Sequence, residues 1–217
     1  MPGMNLGVDL GSSQVVIYAS DRGIVLREPS VIAVEKKSGK LLACGSEARK
    51  MLGRTPDSIT AVRPVRKGVI SDFDYAEQMI RYYMRRVCAY KVLKPRAVVS
   101  VPASVTEVEQ RSAVEAVASS GMRKVVLLEE AVAAAIGAGL DVISPCGSMV
   151  VDIGGGTTDV AVMSLRGVST SCSLRVGGDD LDEAIVRYLH NRYHHMVGTL
   201  TAERVKKTIG SALERPE

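Results

Sequence analysis

The sequence is poor in aromatic residues, with no tryptophan and one phenylalanine among 217 residues. Its basic residues only slightly outnumber its acidic ones, at Lys+Arg 28 against Asp+Glu 24, and they are scattered along the chain. Proteins that bind nucleic acids usually carry a concentrated basic surface with aromatic side chains beside it. The composition therefore argues against nucleic acid as a main partner.

Long apolar runs and metal-type cysteine spacings are also missing. No apolar run is long enough to span a membrane, and the first residues lack the pattern of a signal peptide. The four cysteines form no CxxC pair and no other metal-ligand spacing. We therefore expect a protein of the reducing cytoplasm, whose contact with a membrane, if it makes one, is peripheral.

Two stretches of the chain, residues 7–14 and 151–159, repeat one pattern. Each has a short apolar strand with an aspartate, a glycine-containing turn with small hydroxyl residues, and then a second apolar run. Such a glycine turn lets backbone N–H groups approach a phosphate closely, and the aspartate can hold a hydrated Mg²⁺. Two copies in one chain predict a duplicated scaffold that holds the phosphates of a nucleotide from both sides.

These motifs resemble the actin/Hsp70/sugar-kinase ATPase superfamily and, within it, the MreB-type bacterial actins. The resemblance covers essentially the whole chain and about the first two-thirds of a family member. It departs at Ala131, where proline is usual, and at Ser12-Ser13-Gln14, where Thr-Ala-Asn is common. The segments that carry it, besides the two hairpins, are residues 23–30, 51–56, 94–96, 128–139, 175–183 and 201–204.

The resemblance implies an α/β, actin-like ATPase fold with duplicated ribonuclease-H-like domains and a truncated second half. Its expected divisions are residues 1–145, with a small inserted unit at about 31–72, and residues 146–217. It implies ATP and Mg²⁺ as cofactors and head-to-tail filaments of identical copies. It also implies a place at the inner face of the cytoplasmic membrane, with membrane proteins of the cell-elongation machinery as partners, and a role in cell shape.

The resemblance assigns the phosphate contacts to the turns of both hairpins. An ordinary β-turn is the alternative for the first one. Three consecutive glycines between two strands destabilise them, and close approach of the backbone to phosphate gives a reason for that cost. The residues assigned are Gly11, Ser12, Ser13 and Gln14 in the first turn, and Gly154, Gly155, Gly156 and Thr157 in the second.

Carboxylates are the expected metal and catalytic groups. Asp9 and Asp152 would organise Mg²⁺ through water, or each could instead cap a turn. Glu130 aligns with the position that orients the attacking water in the superfamily. The alternative is that Glu129 and Glu130 only begin a helix, where carboxylates interact favourably with the helix dipole.

Two threonines and two residues of the last helix have further expected roles, in catalysis and in adenosine binding. Thr157 or Thr158 would help to hold the attacking water, and the sequence does not separate the two. Glu203 and Lys206 resemble family contacts to the ribose and adenine. A solvated Glu–Lys pair at helical spacing is the alternative for these last two.

Val92 and Leu93 lie between a predicted helix and a predicted strand, with a lysine on either side. Two apolar residues framed by cations fit a loop that inserts into a membrane surface, as in MreB-like proteins. The alternative is that both side chains pack into the core.

Two other interpretations remain open at this stage. Family members carry a later glycine-rich adenosine loop and a second connecting helix, and this sequence has neither. The chain could thus be a truncated, non-catalytic fragment or scaffold that no longer binds or hydrolyses ATP. An Hsp70-like or sugar-kinase enzyme is disfavoured, because the segments between the hairpins match the MreB type and no sugar-binding insert is recognisable.

Overall fold

A computed structural model describes residues 4–88, 94–165 and 167–213. Its strands are β1 (Asn5–Leu10), β2 (Gln14–Ala19), β3 (Gly23–Pro29), β4 (Ile32–Glu35), β5 (Leu41–Cys44), β6 (Ile59–Val62), β7 (Val65–Arg66), β8 (Val69–Ile70), β9 (Arg96–Val101), β10 (Lys124–Glu129), β11 (Ser148–Ile153), β12 (Thr158–Ser164) and β13 (Gly167–Leu174). Its helices are α1 (Ser46–Met51), α2 (Phe73–Val87), α3 (Glu107–Ala118), α4 (Glu130–Gly137), α5 (Gly178–Tyr193) and α6 (Thr199–Ile209).

The largest sheet has the strand order β10-β9-β1-β2-β3. β1 pairs antiparallel with β2 and parallel with β9, and β9 in turn pairs parallel with β10. One face of the sheet is buried together with residues of α2 and α3, among them Tyr83 and Val117. The apolar run at 97–101 predicts a buried strand, but only one face of β9 is covered, since Val98 is 40% exposed.

A small unit follows the first hairpin. Its sheet has the order β5-β4-β6, and α1 packs on it through the buried Ala48. The chain then forms the short β7–β8 hairpin before α2 begins. Asp72 caps α2, because its side chain accepts a hydrogen bond from the main-chain N–H of Tyr75.

The second sheet has the order β11-β12-β13 and carries the second glycine hairpin. Aligning Asp152 with Asp9 places β11 in the role of β1, but in the described residues β11 is an edge strand, whereas β1 has β9 beside it. The two sheets therefore differ in what they bury. The apolar row of β1 is buried, whereas the equivalent row of β11 is exposed: Leu6 2%, Val8 3% and Leu10 5%, against Met149 63%, Val151 53% and Ile153 68%.

The opposite face of the second sheet is the covered one. α4 packs there, and Ala131 and Ala135 form a small core with Val150 and Met163. Alanine at these two positions lets the helix approach the sheet closely. None of the helices within the described ranges combines the length and the apolar character needed to cross a membrane.

Candidate functional site

A cleft of about 330 Å³ lies where the turns of the two glycine hairpins face each other. The three expected carboxylates, Asp9, Glu130 and Asp152, line it, and so do Glu203 and Lys206 from α6. Every residue expected to contact phosphate also lines it: Gly11, Ser12, Ser13, Gln14, Gly154, Gly155, Gly156 and Thr157. The fold thus brings together groups separated by more than a hundred residues of sequence.

Thr158 is the one expected catalytic residue that does not line this cleft. Its hydroxyl donates a hydrogen bond to the main-chain carbonyl of Val176, 2.8 Å away. Thr157, by contrast, is buried and belongs to the cleft lining. Thr157 belongs to the turn before β12, whereas Thr158 is the first residue of that strand. The expected membrane residues Val92 and Leu93 lie outside the described residues.

The two turns are in direct contact with each other. A Cβ atom added to Gly155 would lie 2.7 Å from the Cβ of Ser13, and one added to Gly156 would lie 2.5 Å from the Ser12 hydroxyl oxygen. Real Cβ atoms do not come this close to their neighbours. The sequence suggests phosphate as the reason for these glycines, and the structure adds a second reason, the close approach of the opposite hairpin.

Four carboxylates interact at the cleft: Asp9, Glu130 and Asp152 line it, and the buried Asp159 repels Glu130 and Asp152. Asp152 lies directly opposite the buried Asp159 in the β11–β12 pair. Burial and the repulsion of Asp159 raise the pKa of Asp152. Burial also raises the pKa of Asp9, although a hydrogen bond from the Ser100 hydroxyl at 3.0 Å acts against this.

Glu130 is the most strongly perturbed member of this group. Burial, followed by repulsion from Asp9, Asp159 and Asp152, raises its pKa to about 9. Glu130 is also the first residue of α4. It therefore both begins a helix and lines the cleft, and the two interpretations of this residue are compatible. A carboxyl group of this kind is protonated at neutral pH in the ligand-free chain.

The donor set at the base of the cleft fits a hydrated divalent cation. The donors are hard carboxylate oxygens, and a cation would relieve the mutual repulsion that raises the pKa values of Asp9, Glu130 and Asp152. Across the described part of the chain, no three His, Cys, Asp or Glu side chains are arranged to bind a metal directly. Contact through water, as Mg²⁺ favours, is compatible with this geometry.

The α6 side of the cleft carries a compact network of charges. The buried Glu203 accepts hydrogen bonds from Arg49 and from Lys207, the latter at 2.6 Å. Burial acts to raise the pKa of Glu203, but the two cations outweigh it and hold the pKa below its usual value. Lys206 does not pair with Glu203, because its Nζ donates to the Gly178 carbonyl at 2.6 Å and lies 2.8 Å from Asp182.

Sequence reasoning missed a set of ion pairs that join residues 1–145 to residues 146–217. Two of these pairs involve Asp179 and Asp180 in the first turn of α5. Asp180 caps α5 by accepting from the Gly177 N–H at 2.8 Å. Within the described ranges the pairs are Arg49 with Glu203, Arg63 with Asp179, Lys67 with Asp180, and Arg175 with Glu109.

The comparisons with known proteins agree on one family. The family model described as MreB/Mbl protein matches residues 3–217. This chain belongs to the MreB/Mbl family. It is 48% identical over 214 residues to the cell shape-determining protein MreB of Escherichia coli (strain K12), an alignment that covers 96% of this chain and 62% of that protein.

Solved structures give the same result for the fold. The structure of MreB5 of Spiroplasma citri bound to ADP matches with a TM-score of 0.92 at 35% identity, over 98% of this chain and 64% of that chain. A second structure of MreB5, bound to AMPPNP, also has a TM-score of 0.92. The MamK double helical filament matches with a TM-score of 0.79 at 22% identity, over 94% of this chain and 64% of that one.

These matches confirm the resemblance that the sequence motifs carry, and they confirm the actin-like fold. The chain spans about 62% of the length of the curated MreB protein that it matches. The activity, ligands and partners of a whole MreB/Mbl protein are therefore proposals for this chain.

Proposed function

We propose that this chain binds ATP with Mg²⁺ in the cleft between its two glycine hairpins, as part of a filament-forming, cell-shape-determining bacterial actin. The observation that carries the proposal is the meeting of the two equivalent hairpins at one cleft lined by Asp9, Asp152 and Glu130. The names of the relatives support it, since the Escherichia coli protein is called cell shape-determining and MreB5 was solved with ADP and with AMPPNP.

The proposed roles follow the chemistry of each group. The turns 11–14 and 154–157 would grip the phosphates through backbone N–H groups and small hydroxyls. Asp9 and Asp152 would hold Mg²⁺ through water, and the ion would offset the charge of the phosphates. Glu203 and Lys206 would contact the ribose and adenine.

Hydrolysis would depend on Glu130. Its carboxylate would orient or deprotonate the attacking water. The group must first lose its proton, because a carboxyl with a pKa of about 9 is protonated at neutral pH. Of the two threonines that the sequence does not separate, we propose Thr157 as the one that helps to hold the water, because it lines the cleft.

The proposed cellular role is organisation of cell-wall elongation at the inner face of the cytoplasmic membrane. The partners would be further copies in a head-to-tail filament, the membrane surface, and membrane proteins of the elongation machinery. Val92 and Leu93 would form the membrane loop. We also propose the division into residues 1–145, with a small unit at about 31–72, and residues 146–217.

Isothermal titration of the 217-residue chain with ATP tests the nucleotide proposal. We expect saturable binding that requires Mg²⁺ and is lost in Gly156→Val, whose branched side chain would collide with Ser12. Gly137→Ala is the matched control, because a Cβ atom there meets nothing within 4 Å. A folded chain that binds no ATP at millimolar concentration would overturn the proposal in favour of the non-catalytic fragment.

Sedimentation separates the filament and membrane parts of the proposal. We expect the chain to pellet with Mg²⁺-ATP alone, because filaments sediment, and to be recovered in larger amount with vesicles that contain anionic phospholipid. Leu93→Ser should reduce only the recovery with vesicles. If Leu93→Ser pelleted with vesicles as the unmodified chain does, the membrane-loop proposal would be wrong.

A further inference from the structure

The β7–β8 turn, Lys67-Gly68, lies between the two glycine hairpins. Lys67 has a φ of 51° and Gly68 a φ of 74°, so both residues occupy the left-handed region. That conformation is unfavourable for a lysine and persists only where the surroundings fix it. A Cβ atom added to Gly156 would lie 2.8 Å from the main-chain nitrogen of Lys67, so the turn packs directly against the second hairpin.

The same turn is hydrogen-bonded to the first hairpin. The main-chain N–H of Gly68 donates to the Ser12 hydroxyl oxygen at 2.9 Å. Ser12 is only 4% exposed and lines the cleft. A serine hydroxyl accepts through its lone pairs and donates a single proton. Among the described residues no acceptor is hydrogen-bonded to that proton, and a buried donor without an acceptor is costly.

The side chain of Lys67 ties the turn to the second half of the chain. Its Nζ pairs with one carboxylate oxygen of Asp180, and the other oxygen accepts from the Gly177 N–H at 2.8 Å. The bond from Lys67, followed by the bond from Gly177, holds the pKa of Asp180 below its usual value, so the carboxylate is ionised at neutral pH. Lys67 is therefore fixed to the first turn of α5.

We propose that Lys67 is a positioning residue of the phosphate site, acting through Gly68 to aim the Ser12 hydroxyl proton at a phosphate oxygen in the cleft. The N–H of Gly68 occupies one lone pair of the hydroxyl, which leaves its proton directed elsewhere. A phosphate oxygen in the cleft is the acceptor that this proton lacks. The inference rests on the proposed nucleotide function, and Lys67 itself makes no contact with the nucleotide.

A double-mutant cycle on Mg²⁺-ATP affinity tests the proposal. Ser12→Ala removes a hydrogen bond to a charged group, so we expect affinity to fall about tenfold or more. Lys67→Met should weaken ATP binding several-fold when Ser12 is present, but less than about twofold when position 12 is alanine. Lys67→Arg keeps the cation and should restore most of the affinity.

Arg175→Met is the matched control for this cycle. It breaks another ion pair between the two halves, with Glu109 at 3.0 Å, and neither of these residues lines the cleft. We expect it to change ATP affinity less than about twofold at a comparable cost in stability, measured by urea unfolding. A Lys67→Met variant that unfolds is replaced in the cycle by Asp180→Asn, which weakens the same pair.

The outcomes separate the two proposals. If the unmodified chain binds ATP and the Lys67 and Ser12 effects are additive, the positioning role is wrong while the nucleotide function stands. An equal loss of affinity in Arg175→Met would also overturn it, since any pair between the halves would then suffice. If the unmodified chain binds no ATP, both proposals fall together.

Discussion

Asp152 lies directly opposite Asp159 in the β11–β12 pair, whereas Asp9, at the equivalent place in the first hairpin, lies opposite Val16. Like charges directly opposite each other destabilise a strand pair. The two hairpins are therefore alike in backbone but unequal in charge, and the second carries the larger repulsion. This repulsion is what a bound cation would relieve.

Replacing Asp159 by asparagine should stabilise the metal-free chain. The change removes one charge of the repelling pair and leaves an amide oxygen to accept the 3.4 Å contact from the Ala103 N–H. We expect the free energy of unfolding to rise by up to about 1 kcal/mol at pH 8. Added Mg²⁺ should then stabilise this variant less than the unmodified chain.

Urea unfolding with and without Mg²⁺ measures both effects. Asp57→Asn is the control, because Asp57 is exposed and does not line the cleft. A fall in the stability of Asp159→Asn, with the control unchanged, would show that the Asp152–Asp159 repulsion does not dominate this hairpin.

Glu130 should make the ligand-free chain less stable as the pH rises. Its pKa is raised from 4.5 to about 9 in the folded chain, so the folded state holds a proton that the unfolded state releases above pH 4.5. The stabilising contribution is complete below pH 4.5 and is lost as the pH approaches 9. Glu130→Gln should flatten this dependence and raise the melting temperature most near pH 9.

Thermal unfolding between pH 5 and pH 9 checks this prediction. Glu115→Gln, at an exposed position on α3, provides the matched control. The explanation fails if Glu130→Gln and the unmodified chain show the same slope of melting temperature against pH.

The glycines of the second turn should differ from a glycine outside the cleft. Gly155→Ala and Gly156→Ala force atoms into the opposite hairpin, and overpacking of this kind costs about 1–3 kcal/mol. Gly137→Ala in α4 should instead be neutral or stabilise by up to about 1 kcal/mol, because a Cβ atom there meets nothing within 4 Å. Urea unfolding of the three variants gives the comparison, and equal effects at all three positions would contradict it.

The exposed row of β11 should tolerate charge where its counterpart in β1 does not. Met149→Lys places a lysine at a position that is 63% exposed, so we expect a change within about 0.5 kcal/mol. Leu6→Lys places a lysine at a position that is 2% exposed, and we expect the first sheet to lose its native fold.

Circular dichroism with urea unfolding distinguishes these two variants. Light scattering should also show less self-association in Met149→Lys, because the substitution interrupts an exposed apolar row. A destabilisation by Met149→Lys as large as that by Leu6→Lys would mean that the β11 face is covered in solution.

The sequence indicates local features well and distant pairings poorly. The Thr106 and Glu109 capping box is visible in the sequence and is confirmed, because both partners lie within one helical turn. The residue type of Thr201 favours it as the cap of the last helix, and that interpretation is wrong: α6 begins at Thr199 with Gly198 before it, and a glycine cap offers no side chain to recognise.

The cleft shows the same contrast between local features, which the sequence indicates, and distant pairings, which it does not. The sequence shows both hairpins because each is a contiguous pattern, and the fold brings them together as expected. The Lys67–Asp180 pair joins residues separated by more than a hundred positions, so no local pattern indicates it. The one signal in the sequence that favours such a contact is charge: positions 63 and 67 are basic, and positions 179 and 180 are acidic.

The central claim is that both hairpins hold the phosphates of one nucleotide, and backbone amide NMR tests it most directly. Titrating the isotope-labelled chain with Mg²⁺-ATP should shift the amide signals of residues 11–14 and 154–157 together, along a single saturation curve. Shifts confined to one hairpin, or to neither, in a chain that binds ATP would contradict the account.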